Sequence, residues 1–343
     1  MNVQDLDSTA RALVAEGKGI LAADETVPTL TKRFDALKIV STEDSRRVYR
    51  EMFCTTPGAA AFISGMIMYD ETIRQKSAGG TPLADVLTKQ GILPGIKVDT
   101  GAKTLAGSPD EKITEGLDGL RERLKEYRAL GARFAKWRAV IRIGETIPSP
   151  RCVSANAHAL ARYATLCQEQ GLVPIVEPEV LMDGAHTLER CENVTGFVLH
   201  SVFHALFEQG VRLEGMLLKP NMVISGKDCP KQASVQEVAT ATLRCLRRHV
   251  PAAVPGIVFL SGGQPSVTAT AHLDAINRLG GPKPWAISFS YGRALQDVAL
   301  ETWHGKKENL KAAQQAFHYR AKCNSAAAAG RYTDGMEREA VGR

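Results

Sequence analysis

The feature that most constrains the fold of this chain is a repeated alternation of two patterns along its 343 residues. Short apolar or small-residue runs occur at Gly19 to Ala23, Ala60 to Ile67, Gly95 to Val98, Phe134 to Val140, Leu172 to Val176, Gly215 to Leu218, Ile257 to Leu260 and Trp285 to Phe289. Between them lie stretches with helical spacing. Leu117, Leu120, Leu124 and Tyr127 recur every three to four residues and Gly131 follows as a stop. Ser234 with Glu237 three residues on is a capping-box signature, and that helix is expected to end before Pro251. A long final helix is expected from Lys306 to Ala329, closed by Gly330. Strand and helix in alternation mean parallel strands with helical crossovers, and eight of them without a dinucleotide fingerprint favour a closed barrel over an open sheet. The expectation is therefore α/β: a single (β/α)8 TIM barrel over residues 1–343, with a long C-terminal helix and a short flexible tail from about residue 331.

Side chains alternate faces along a strand, so charged residues two apart at the end of an apolar run point the same way. The sequence does this three times, with Lys97 and Asp99, Lys136 and Arg138, and Glu177 and Glu179. Asp24 ends the first run and Lys219 the sixth. In a barrel all strands end at one face, so these residues converge. A rim of salt bridges would explain any one of them. The whole set would face a desolvation cost on the order of several kcal/mol per charge, which stability does not require. Function is the economical explanation.

A lysine amine attacks a ketone only when neutral, and a neighbouring cation with partial burial favours that form. Lys219 is the candidate nucleophile and Lys136 the cation. Glu177, with Glu179 as its neighbouring carboxylate, is placed to give and take protons, and Asp24 to hold the cations or share the base role.

The seventh run is followed by Ser261-Gly262-Gly263 and the eighth by Ser290-Tyr291-Gly292-Arg293. Glycines there let backbone N–H groups approach an anion, the arginine adds a bidentate clamp, and these are the loops where barrels commonly hold phosphate. A second anion site is expected around Thr26, Thr29, Lys32 and Arg33, with Lys97 across the mouth.

Composition excludes other classes. The net charge of +6 is spread over 43 basic and 37 acidic residues with no long basic run, so no nucleic-acid partner is expected. No stretch reaches the roughly 20 apolar residues of a membrane span, and the polar start lacks a leader pattern, so a cytoplasmic protein with no membrane partner is expected. Seven scattered cysteines read as reduced thiols. His200 and His204 lack the glutamate of a zinc-binding helix, and no metal is expected. The rival readings are a metal-dependent enzyme, which would need a histidine cluster at the strand ends, and a non-enzymatic basic scaffold.

The blocks Gly19-Ile20-Leu21-Ala22-Ala23-Asp24-Glu25, Gly95-Ile96-Lys97-Val98-Asp99, Phe134-Ala135-Lys136-Trp137-Arg138, Val176-Glu177-Pro178-Glu179, Leu217-Leu218-Lys219-Pro220-Asn221, Phe259-Leu260-Ser261-Gly262-Gly263-Gln264 and Phe289-Ser290-Tyr291-Gly292-Arg293 stand in order. Through them the chain resembles class I fructose-bisphosphate aldolase, from about Leu6 to Thr333. The resemblance implies reversible cleavage of D-fructose 1,6-bisphosphate to dihydroxyacetone phosphate and D-glyceraldehyde 3-phosphate in glycolysis and gluconeogenesis. It implies Lys219 as Schiff-base nucleophile, Glu177 as acid and base, Lys136 as electrostatic partner and Asp24 as catalytic carboxylate. Ser261, Gly262, Gly292 and Arg293 would hold the C1 phosphate. Lys97, Thr26 and Thr29 would hold the far one, with Arg33 at the same mouth. It also implies no cofactor, metal independence and a homotetramer. Another phosphorylated ketose, such as a seven-carbon bisphosphate, is an alternative main substrate. Two departures stand out: animal members end in a tyrosine where this chain has Ala340-Val341-Gly342-Arg343, and Thr26-Val27-Pro28-Thr29 replaces a serine- and glycine-containing loop, from which altered affinity is expected.

Overall fold

The computed structural model describes residues 3–341. Among them ten strands form in chain order: β1 (Gly19–Ala22), β2 (Ile63–Met68), β3 (Leu93–Lys97), β4 (Gly101–Leu105), β5 (Ser108–Glu115), β6 (Phe134–Ile141), β7 (Val173–Val180), β8 (Leu217–Leu218), β9 (Gly256–Phe259) and β10 (Ala286–Tyr291). β4 and β5 pair antiparallel as a hairpin. The other eight are parallel neighbours in sequence order, and β10 returns to β1 to close the barrel.

The period-2 rule explains how the barrel fills. Ile20, Ala22, Ile67, Phe134, Val173, Ile175, Leu217 and Val258 form one buried cluster inside it. Leu6, Ala10, Leu13 and Val14, from the helix Val3–Leu13 and the residue after it, join that cluster and plug one mouth. The odd-out partners, such as Leu21, Ala135, Trp137, Val176, Leu218 and Phe289, face the surrounding helices in a second, larger cluster. Each such aliphatic or aromatic side chain contributes about 1.5–3 kcal/mol on burial. The interior is tight enough to dictate residue size: a Cβ on Gly95 would lie 2.2 Å from the ring of Phe134, so only glycine fits opposite that phenylalanine.

The expected runs are strands or parts of strands, with shifted ends. β7 extends to Val180, which brings both Glu177 and Glu179 inside the ladder. β8 is only two residues long, yet the N–H of Lys219 still donates to Val176 O at 2.8 Å and keeps that lysine in register. The run beginning at Ala60 opens with a 3-10 turn, Ala59–Ala61, before β2. The capping box at Ser234 is formed, and its helix spans Val235–His249. The long final helix spans Leu310–Ala328, preceded by a 3-10 turn at Lys307–Asn309.

In the stretch expected as a loose tail, Asp334–Val341 is helical. Its Glu337 pairs with the buried guanidinium of Arg320 at 2.5 Å, a charge that needs a partner in the apolar interior. Gly342 and Arg343, part of the departure at the C-terminus, lie outside the described residues.

Candidate active site

The same parity that fills the barrel positions its chemistry. Ile20 and Ala22 lead to Asp24, Gly95 to Lys97, Phe134 to Lys136 and Arg138, Ile175 to Glu177 and Glu179, and Leu217 to Lys219. Apolar side chains occupy the lower interior layers and charged ones the carboxyl end. Register makes neighbours of Lys97 and Lys136 across β3 and β6, and of Arg138 and Glu177 across β6 and β7.

At the centre, Lys219 Nζ stands 3.3 Å from Glu177 Oε1, and Lys136 Nζ stands 3.6 Å from Glu177 Oε2 and 2.6 Å from Asp24 Oδ2. All four side chains are buried or nearly so. Burial works against the charge on Lys136, but Asp24, Glu177 and Asp99 outweigh it and lift its pKa above the ordinary lysine range. Burial likewise opposes the charge on Asp24, and Lys136, Lys219 and Lys97 overcome it, lowering the Asp24 pKa to about 2. Lys136 is thus a fixed ammonium with Asp24 as its carboxylate. Glu177 Oε2 is buried with no hydrogen-bond partner among the described residues. A buried carboxylate oxygen left open in this way can take a hydrogen bond from a bound molecule.

Glu179 differs from its expected place beside Glu177. Its carboxylate pairs with Arg138 Nε instead, diagonally across β6 and β7, since the register sets Arg138 opposite Glu177 and Glu179 opposite Val140. The near partners of Glu177 are the side-chain nitrogens of Lys219 and Lys136. Lys97, expected to reach across the mouth, folds back on its own strand end: Nζ donates to Asp99 Oδ1 at 2.6 Å and to Asp99 O at 2.5 Å. Asp99 also accepts from the N–H groups of Gly101 and Arg138 at 3.2 and 3.3 Å, tying β3 to β6.

The two expected phosphate loops meet. Gly262 and Gly263 adopt φ of +59° and +88°, and a Cβ on Gly263 would lie 3.1 Å from Arg293 Nη2. Gly292 is the residue before the helix Arg293–Trp303, and a helix N-terminus offers N–H groups and a positive dipole end to an anion. Ser261 and Ser290 are buried, and Ser290 Oγ has no partner among the described residues. Ser261, Gly262, Gly263, Ser290, Gly292 and Arg293 are thus at one end of the barrel, next to the lysine cluster.

Comparison with known proteins decides the family. The family model for fructose-bisphosphate aldolase class-I matches residues 5–343. The chain belongs to the class I fructose-bisphosphate aldolases. It is 58% identical over 333 residues, 97% of this chain and 99% of the relative, to a probable fructose-bisphosphate aldolase class 1 of Xanthomonas axonopodis pv. citri. It is 52% identical to the cytosolic fructose-bisphosphate aldolase 4 of Arabidopsis thaliana, covering 96% of this chain and 84% of that one. The fold is that of a fructose-bisphosphate aldolase from Plasmodium falciparum, solved in complex with TRAP and a small-molecule inhibitor. That match has a TM-score of 0.95 at 50% identity and covers 97% of this chain and 96% of the other. The protein is accordingly a carbon–carbon lyase on a TIM barrel.

Within this class I aldolase, the second expected anion site, around Thr26, Thr29 and Arg33, is more heavily engaged than its sequence suggests. Arg33 is held by Glu25 and by Asp297 Oδ1 at 2.8 Å, and Arg50 Nη1 reaches Glu25 Oε2 at 3.0 Å. Gln296 Nε2 donates to Ala22 O at 2.6 Å and to Glu25 Oε1 at 2.9 Å. Sequence reasoning did not single out Glu25, Arg50, Gln296 or Asp297. Arg50, 2% exposed, lies mid-helix in Glu43–Cys54 and could be found only through its distant partner. Glu25 had a signal, being a charge directly after Asp24. Thr26 caps the helix Val27–Ala36, accepting from Thr29 N at 3.4 Å, and its hydroxyl is 3.0 Å from that of Thr29. Pro28 sits in the first turn, where a missing N–H costs nothing. Tyr332 is buried, its hydroxyl on Glu337 Oε1 at 2.8 Å and its N–H on Asp274 Oδ1 at 2.9 Å, so it serves the C-terminal helix.

Proposed function

We propose that this aldolase reversibly cleaves D-fructose 1,6-bisphosphate to dihydroxyacetone phosphate and D-glyceraldehyde 3-phosphate through a Schiff base on Lys219, without a metal. The observation that carries the reading is the buried contact of Lys219 Nζ with Glu177 at 3.3 Å, backed by Lys136 and Asp24. The neutral amine of Lys219 attacks the C2 ketone. Glu177 gives a proton to the carbinolamine hydroxyl, which leaves as water and yields the ketimine. A carboxylate, Glu177 with Asp24 in support, then takes the C4 hydroxyl proton. The C3–C4 bond breaks, its electron pair moves toward the iminium nitrogen to give an enamine, and glyceraldehyde 3-phosphate departs. Protonation at C3 and hydrolysis release dihydroxyacetone phosphate and the free lysine. Lys136 stabilises the developing alkoxide, since a fixed ammonium in a dry site is worth more than one in water.

In this reading Ser261, Gly262, Gly263, Ser290, Gly292 and Arg293 bind the C1 phosphate. Thr26, Thr29, Lys97, Arg33 and Arg138 serve the far phosphate once the arginine and lysine exchange their carboxylate partners for it. The chain acts as one catalytic domain, in the cytoplasm, as a homotetramer. The cytosolic name of the Arabidopsis relative supports the location. Exposed Phe197 and Phe207 on the helix Leu188–Glu208 are apolar area that association would cover. Steady-state cleavage of fructose 1,6-bisphosphate, with and without a chelator, tests the activity. Equal rates support the reading, and loss of activity on chelation would replace it with a metal-dependent one.

A further inference from the structure

Behind the loop Ser261-Gly262-Gly263 lies a polar contact that the reaction scheme leaves unused. His272, on the helix Ser266–Arg278 and 6% exposed, places Nδ1 2.6 Å from Gln264 Oε1. The amide of Gln264 is itself buried, and its Nε2 donates to Ser261 O at 3.1 Å. The backbone N–H of Gln264 donates to the same carbonyl at 3.0 Å. The amide oxygen can only accept, so the proton on this contact belongs to His272 Nδ1. Burial agrees, lowering the His272 pKa to about 4 and leaving the ring neutral at neutral pH.

The chain of contacts ends at a peptide that matters. The C=O of Ser261 and the N–H of Gly262 belong to one planar unit and point in opposite directions. Two donors fixing that carbonyl therefore fix where the Gly262 N–H points, in a loop that otherwise relies on two glycines with positive φ. We propose that His272 is a positioning residue for the ketose phosphate: by orienting Gln264 it locks the Ser261–Gly262 peptide with its N–H presented to the C1 phosphate. His272 then sets affinity for phosphorylated ketones without touching them, by organising the site before the anion arrives. This rests on the reading of the loop as a phosphate site and of Lys219 as the Schiff-base lysine.

The test compares two ketones, dihydroxyacetone phosphate and unphosphorylated dihydroxyacetone, by the concentration that half-saturates borohydride trapping on Lys219 in the full-length protein. His272→Phe keeps the ring volume and removes the donor. It should raise the half-saturating concentration of the phosphorylated ketone about tenfold, the scale of one buried hydrogen bond left unmade, and leave dihydroxyacetone unchanged. His272→Asn, whose Nδ2 replaces Nδ1, should restore the phosphorylated ketone. Should His272→Phe fail to fold, Gln264→Met breaks the same link at similar volume and should give the same selective tenfold change. An unchanged phosphorylated ketone, equal losses for both ketones, or no rescue by asparagine overturns the proposal. A wild-type protein that traps neither ketone overturns the Schiff-base reading, and one that traps both equally well overturns the phosphate loop. The role of His272 falls with either.

Discussion

Lys219 Nζ lies 3.3 Å from Glu177 Oε1, and neither side chain is more than 5% exposed. A buried amine and carboxylate at that distance can exchange a proton without solvent, which is what carbinolamine dehydration demands. The other oxygen of the same carboxylate faces the Lys136 ammonium at 3.6 Å, so one glutamate couples the nucleophile to the electrostatic partner.

Glu177→Gln keeps the shape and removes the proton carrier. Its kcat for cleavage should fall about 10²- to 10⁴-fold, the usual contribution of a placed acid or base, with KM little changed. Stopped-flow trapping of the ketimine should show slower formation. A kcat within a fewfold of wild type would remove Glu177 from the mechanism.

Asp24→Asn tests the ion pair that fixes Lys136. The Asp24 pKa is lowered from 3.8 to about 2, so its charge contributes stability that is fully present above pH 4 and is lost as pH falls through about 2. Below both values the aspartic acid and asparagine should be equivalent. The wild type should exceed the variant by about 2 kcal/mol at neutral pH, with the gap narrowing below pH 4. Denaturant titrations across that range measure it. A gap that stays constant on acidification would contradict the pairing.

Arg293→Ala removes the guanidinium beside Gly263. KM for fructose 1,6-bisphosphate should rise about 30-fold, corresponding to about 2 kcal/mol for a charge-assisted contact, and Arg293→Lys should recover only part of it. Trapping of unphosphorylated dihydroxyacetone should be unaffected. Equal effects on both ketones would place Arg293 outside the phosphate site.

The barrel and the central lysines were legible in the sequence because both follow from periodicity. Gly95 with Lys97, Phe134 with Lys136 and Leu217 with Lys219 each mark an inward face on which an apolar or small residue gives way to a charge. What was hidden depends on side-chain partners far apart in the chain. Glu179 could be placed on the rim by parity, but its ion pair with Arg138 runs diagonally across β6 and β7, where register sets Arg138 opposite Glu177, and only the folded side chains reveal it. Arg33 carried the charge of an anion site, while the carboxylates that hold it come from Glu25 and, 264 positions away, Asp297. The β4–β5 hairpin was not recognised. Its Lys103, Thr104 and Lys112 are exposed and polar, Leu105 packs against the core, and Thr114 Oγ1 anchors it to Arg138 O at 2.8 Å.

The central claim is a covalent bond between Lys219 and the ketose, and it is tested most directly by mass. Borohydride added to the protein with dihydroxyacetone phosphate and a chelator should leave a reduced adduct on the peptide containing Lys219, and Lys219→Arg should abolish both adduct and cleavage. A folded wild-type protein that cleaves fructose 1,6-bisphosphate yet carries no adduct on Lys219 would contradict the account.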